Sequence, residues 1–224
     1  MKKLQLLLIC LVCVAMSCHS GRTVEQAATE LNRSPETLVS TLKEGGFNAE
    51  NGASTVDDEM YDFLVKRILL EDIEAAEADL YGKNNEFKFD QNRASETVEV
   101  YLAFVDRYTD DELTPEYLFK AADLLRALRK SEEALRYYQQ ICDDFPDFDK
   151  VPHSLFLQGF VYENDLKDMA KAEAKYKEFL SKYPDHDLAD DVEFSLQYLG
   201  KSPEDIIKQF ENTEDGDTDK PAEL

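Results

Sequence analysis

The side chains that could do chemistry in this chain are few, and their spacing is poor for it. Histidine occurs only at 19, 153 and 186. A zinc site needs several His or Cys ligands at short, defined spacings. His19 adjoins Cys18, but adjacency is not such a spacing, and the other two lie far away in sequence. They read as isolated surface histidines, so no metal and no other cofactor is expected. The eight glycines are scattered, which leaves no glycine-rich loop to cradle a phosphate. No serine stands in a nucleophile elbow. Carboxylates are abundant, 48 in 224 residues, and DDEL at 110–113 and DHDLADD at 185–191 gather several. Neither has the ligand spacing around a central glycine that a calcium loop requires. They read as solvated turns and helix starts. No catalytic residue is assigned, and the expectation is a non-enzyme.

One thiol has a clearer chemistry. Met1-Lys2-Lys3 is a short positive segment, and Leu4 to Met16 is an apolar run broken only by Gln5. That run is too short to span a bilayer and has the length of a signal-peptide core. Ala15-Met16-Ser17-Cys18 closes it. The four residues resemble the bacterial lipobox, with Ala15 where leucine is usual. The resemblance implies that residues 1–17 are a lipoprotein signal peptide and that Cys18 is the lipid attachment site, carrying acyl chains such as palmitate. A plain secretory signal cut near Ser17 is the alternative. Cys10 and Cys13 leave with the signal, so Cys142 is the one thiol left and no intrachain disulfide can form. Cys142 falls inside a helical pattern and reads as a small core residue. Two or three acyl chains hold a membrane firmly where one does not.

Around these residues the composition is helical. Apolar residues make up 43%, glycine and proline number 8 and 7, and tryptophan is absent. No stretch alternates polar and apolar with period two as a sheet needs, so the fold class expected is all-α. The formal net charge is −23. That excludes nucleic acid as a partner, since phosphate binding needs clustered Lys and Arg, and it excludes electrostatic adhesion to anionic lipid. Membrane contact is therefore expected through the lipid anchor only. Solubility accounts for the charge; a basic protein or peptide partner is the sharper reading.

After the signal, residues 18–56 read as a small helical segment. Thr23 to Leu31 has the spacing of a short amphipathic helix. Ser34-Pro35-Glu36 starts a second, with Ser as N-cap and Pro in the first turn, which stops at Gly45-Gly46. Thr55-Val56-Asp57-Asp58 opens the next. The segment TVEQAATELNRSPETLVSTLKEGGFNAENGASTVDDEMYDFL resembles the N-terminal module of translation initiation factor 2 over about 45 residues, through an LNxS turn, LxxxL before GF, and STVDDEM. An exported protein meets no ribosome, so the resemblance carries over no more than a helical pair that caps the repeats.

Residues 57–211 read as a repeat array. TPEYLFKAADLLRALRKSEEALRYYQQICDDFP (114–146) aligns with VPHSLFLQGFVYENDLKDMAKAEAKYKEFLSKYP (151–184). Ala134 pairs with Ala172, Tyr138 with Tyr176, and Pro146 with Pro184, each 38 residues apart. The two segments resemble tetratricopeptide repeats, which stack as helical hairpins into an α-α superhelix. In that resemblance Ala122 and Gly159 are the small first-helix residues at the crossing, and Ala134 and Ala172 those of the second helix. Tyr138 and Tyr176 are its bulky rings, and Pro146 and Pro184 stop it. Leu118 and Leu155 stand where the family has tryptophan. Arg93 to Tyr108 reads as the second helix of a degenerate repeat, with Thr97 in the small-residue place and a helix near Val56–Tyr81 as its partner. Leu188 to Leu199 reads as a further first helix ended by Gly200, and Ser202-Pro203-Glu204-Asp205 opens a last one. Residues 212–224, acidic and without apolar period, read as a disordered tail.

The resemblance places the first helix of each repeat on a concave groove. Its lining would be Glu116, Phe119, Asp123 and Arg126, then Phe156, Phe160 and Glu163, then Asp190 and Glu193. Aromatics among acids suit an extended peptide with apolar and basic side chains. Helix 152–164 is apolar almost all round, however, so Phe156 and Phe160 are read as core before they are read as groove. A lipobox ahead of repeats ending in YP is similar to the lipoprotein family of the outer-membrane β-barrel assembly machinery (BamD-like). The repeats are also similar to those of TolA-binding coordinators. These likenesses imply a lipid-anchored interaction scaffold of the bacterial cell envelope, at the periplasmic face of the outer membrane, linked to outer-membrane assembly. A substrate- or glycan-binding lipoprotein for nutrient capture is the alternative, disfavoured because sugar platforms rely on tryptophan.

Overall fold

A computed structural model describes residues 21–81, 89–202 and 204–208. The signal segment, Cys18 and the acidic tail lie outside the described residues. The rest falls into two compact units, one reaching to Asp111 and one starting at Glu112.

The first unit opens with a feature that periodicity could not reveal. Strand β1 (Arg22–Thr23) pairs antiparallel with β2 (Thr55–Val56), Arg22 opposite Val56. Two residues are too few to show alternation. Helix α1 (Val24–Glu30) begins with a capping box: the Gln26 N–H donates to Thr23 Oγ1, and the Thr23 N–H to Gln26 Oε1. Val24, Ala27, Ala28 and Leu31 are buried on one stripe. Asn32, at φ 49°, turns the chain, and Ser34 caps α2 (Pro35–Glu44) by accepting from the Thr37 N–H. Leu38 and Leu42, one turn apart, are its buried face. Asp57 caps α3 (Asp58–Tyr81) by accepting from the Met60 N–H, and Asp90 caps α4 (Gln91–Arg107). α3 and α4 pack as a hairpin, burying Leu64, Ile73, Tyr101 and Phe104.

The second unit is a run of hairpins. It comprises α5 (Thr114–Ala127), α6 (Ser131–Asp144), α7 (Val151–Asn164), α8 (Met169–Lys182) and α9 (Ala189–Gln197), each packed on the next. A further helical turn follows at 204–208. There Ser202 Oγ accepts from the Asp205 N–H and donates to its carboxylate. Pro115 and Pro152 sit in the first turns of α5 and α7, where a missing N–H costs nothing. The α5–α6 turn, the α7–α8 turn and the turn after α9 each use one left-handed residue: Arg129 (φ 63°), Lys167 (φ 56°) and Gly200 (φ 73°). Arg129 and Lys167 lie 38 residues apart, so the repeat spacing is written in the backbone as well as in the side chains.

Candidate functional site

The second helix of each hairpin is the fixed element that positions the first. Ala134 and Ala172 are fully buried where the helices cross. Gly159 lies hard against Tyr176, and a Cβ there would stand 2.5 Å from the ring. Tyr138 and Tyr176 are fully buried, and each sends its hydroxyl across the hairpin to a carboxylate. The Tyr138 hydroxyl donates to Asp123 (2.5 Å) and that of Tyr176 to Glu163 (2.7 Å). Burial, reinforced by the facing carboxylate, pushes both phenols well above their ordinary value. Asp123 and Glu163 are thereby held on first helices with fixed orientation. α6 and α8 end at Phe145 and Tyr183 with nearly the same backbone, φ −129° and −134°, ψ 58° and 55°. Pro146 and Pro184 come immediately after and are exposed.

The first helices carry the candidate face. Glu116, in the first turn of α5, pairs with Lys150, whose ammonium also lies 5.2 Å from the Phe119 ring centroid. Phe119 meets Tyr138 edge-on at 5.9 Å. The Arg126 guanidinium lies over Phe160 at 5.8 Å, and its buried Nε has no hydrogen-bond partner among the described residues. Phe156 contacts Phe160 (6.3 Å) and Tyr176 (6.1 Å). Phe119, Phe156 and Phe160 are all half-buried, so the rings at once pack on the hairpins and show an edge to solvent. Ala122 is buried beneath this face. Asp190 and Glu193 on α9 are exposed.

Sequence reasoning misses Phe194. It is 48% exposed and stacks on Tyr198 with centroids 4.6 Å apart. The signal that could find it is the spacing: Phe119, Phe156 and Phe194 are separated by 37 and then 38 residues, as the repeats themselves are. One ring per first helix therefore stands at the same register position.

Two other groups look different in three dimensions. His153 and His186, isolated in sequence, are brought together with ring centroids 5.4 Å apart. The Leu188 N–H donates to His186 Nδ1 (3.1 Å), so that nitrogen helps to start α9. Among the described residues no group of three His, Cys, Asp or Glu side chains is placed to hold a metal. Cys142 is half-buried, takes a hydrogen bond from Gln158 Nε2 (3.5 Å), and has its thiol pushed up to about 11, chiefly by burial.

The tetratricopeptide-repeat family model matches residues 116–147 and 153–186, which are α5–α6 and α7–α8 within a few residues at each end. The chain carries two tetratricopeptide repeats. Such repeats are a protein–protein interaction module, and the described residues fold as all-α helical hairpins of the tetratricopeptide type. No curated protein matches the chain.

Proposed function

We propose that this protein is a lipid-anchored scaffold of the bacterial cell envelope that binds a protein partner along the first-helix face of its repeats. The observation that carries the reading is the row of Phe119, Phe156 and Phe194 set among Asp123, Glu163, Asp190 and Glu193. Aromatic rings supply contact area at low entropic cost, and the carboxylates select for basic side chains. The partner is thus a protein segment with apolar and basic residues. Anchorage rests on Cys18 behind its lipobox-like sequence, and none of the described helices is long and apolar enough to cross a membrane. The outer membrane, facing the periplasm, is the location that fits the likeness to assembly lipoproteins, and a role in outer-membrane assembly accords with it.

The test is crosslinking in cells. A photoreactive residue in place of Phe194 should capture a defined partner, and one in place of Arg136, exposed on α6, should not. Equal or greater capture from position 136 would remove the first-helix face from consideration. Cys18→Ser should move the protein from the membrane to the soluble fraction, and density separation of the wild-type membranes identifies which membrane holds it.

A further inference from the structure

The folded body begins almost at the lipid. Only His19, Ser20 and Gly21 separate Cys18 from Arg22, and Arg22 is fastened from three directions. Its backbone pairs with Val56 in the β1–β2 ribbon. Its Nε lies 3.1 Å from Glu30 at the end of α1. Its guanidinium stacks on Tyr61 of α3, 3.8 Å from the ring centroid, which leaves the side chain only 10% exposed. The next residues are tied as well: the Val24 N–H donates to Ser54 O and the Glu25 N–H to Gly52 O, both at 2.9 Å. Slack therefore cannot be drawn from residue 22 onward without opening the first unit.

We propose, resting on the reading that Cys18 carries the lipid, that the β1–β2 end of the first unit is a membrane-facing surface held against the lipid headgroups. Four residue steps span about 14 Å at full extension. The ribbon, the loop at 50–54 and the first turn of α3 are thus confined close to the acyl anchor, whatever path residues 19–21 take. The surface so confined is acidic, since Glu50, Asp57, Asp58 and Glu59 are exposed there. Among its described residues the cation Arg22 is taken up by Glu30 and Tyr61, which leaves no exposed basic group there to adhere to anionic headgroups, so the apposition is imposed by the short tether and not by affinity. This distinguishes it from a peripheral membrane-binding site, which would act without the anchor.

The experiment uses the full chain in its own membrane, with a photoreactive residue replacing the exposed Asp58 and phospholipid adducts measured by mass. A second form carries about thirty Gly/Ser residues inserted between Ser20 and Gly21, which lets the body wander to roughly 30 Å from the anchor. The spacer should lower the adduct yield at least fivefold. An unchanged yield, including none in either form, would overturn the membrane-facing assignment. Cys18→Ser separates the two ideas. Retention of that variant on membranes would remove the anchor and the tethered surface together. Its release, combined with a yield insensitive to the spacer, would leave the anchor standing and remove only the surface.

Discussion

The hairpin α3–α4 and the hairpins α5–α6 and α7–α8 reach the same local geometry from different sequences. In each second helix a buried tyrosine, Tyr101, Tyr138 or Tyr176, donates its hydroxyl to a first-helix carboxylate, which is Glu77 in the first hairpin (2.7 Å). Each second helix ends on a ring, and Tyr108, like Phe145 and Tyr183, closes it at φ −120° and ψ 60°. The differences lie elsewhere. α3 runs 24 residues where α5 and α7 run 14, and buried Thr97 replaces alanine at the crossing. Its hydroxyl is satisfied by donating to Arg93 O (2.8 Å), so a polar group is tolerated there. α3–α4 lies outside the two family matches. The comparison teaches that the second helix carries the physical requirements of a repeat. The first helix is free to change length so long as it offers an apolar face and an acceptor for the tyrosine.

Truncating the shared tyrosine is the strongest way to break this comparison. Tyr101→Ala and Tyr176→Ala should each cost roughly 3–5 kcal/mol, the usual loss for emptying a large aromatic site, read by denaturant unfolding with circular dichroism. A cost below about 1 kcal/mol at Tyr101 would show that α3–α4 only imitates the repeats. Gly159→Leu comes next, at about 1–3 kcal/mol from overpacking against Tyr176; a variant that melts like wild type would contradict the close crossing.

Removing only the hydroxyl sharpens the comparison further. Tyr101→Phe, Tyr138→Phe and Tyr176→Phe should each cost about 1–2 kcal/mol near neutral pH, because a half-buried carboxylate loses its donor. Tyr138 and Tyr176 add a pH signature. Their phenols are raised in the fold from an unfolded value of 10.0. Their contribution is therefore complete below about pH 10 and is lost as the pH climbs above it, at up to about 1.4 kcal/mol per unit per tyrosine. The phenylalanine variants should show a shallower alkaline decline, and an unaltered slope would mean that these hydroxyls are not coupled to folding. The smallest effect belongs to the turns. Lys167→Gly should raise stability by up to about 1 kcal/mol by relieving a left-handed side-chain residue, while Gly200→Ala should lower it.

The helix starts are legible in the sequence because their cause is local. Ser34 and Ser202 accept backbone N–H groups within three residues, as their types announce, whereas Thr23, read as part of the first helix, turns out to cap it. The repeat register is legible because a tight crossing, a filling ring and a stop recur at one spacing. The face is only half legible. Phe119 and Phe156 emerge from the repeat pattern, but their mate Phe194 sits in a shorter, atypical helix that hides it. The apolar circumference of α7 points to Phe156 and Phe160 as core, and the fold leaves them half-buried, since α7 is packed by its neighbours without being enclosed.

By itself, then, the amino-acid sequence determined the helices, the caps at Ser34 and Ser202, the order of hairpins and the spacing of the repeats, all of which arise from contacts within a few residues or from a repeated pattern. Only the tertiary structure decided which partners meet across the hairpins and turns. The pairing of Tyr138 with Asp123 and of Tyr176 with Glu163, the meeting of His153 and His186, and the two-residue ribbon that locks Arg22 onto Tyr61 and Glu30 all depend on how helices cross. Crossing geometry is set by packing and by burial of polar groups that must find partners. No single stretch of the chain contains that information.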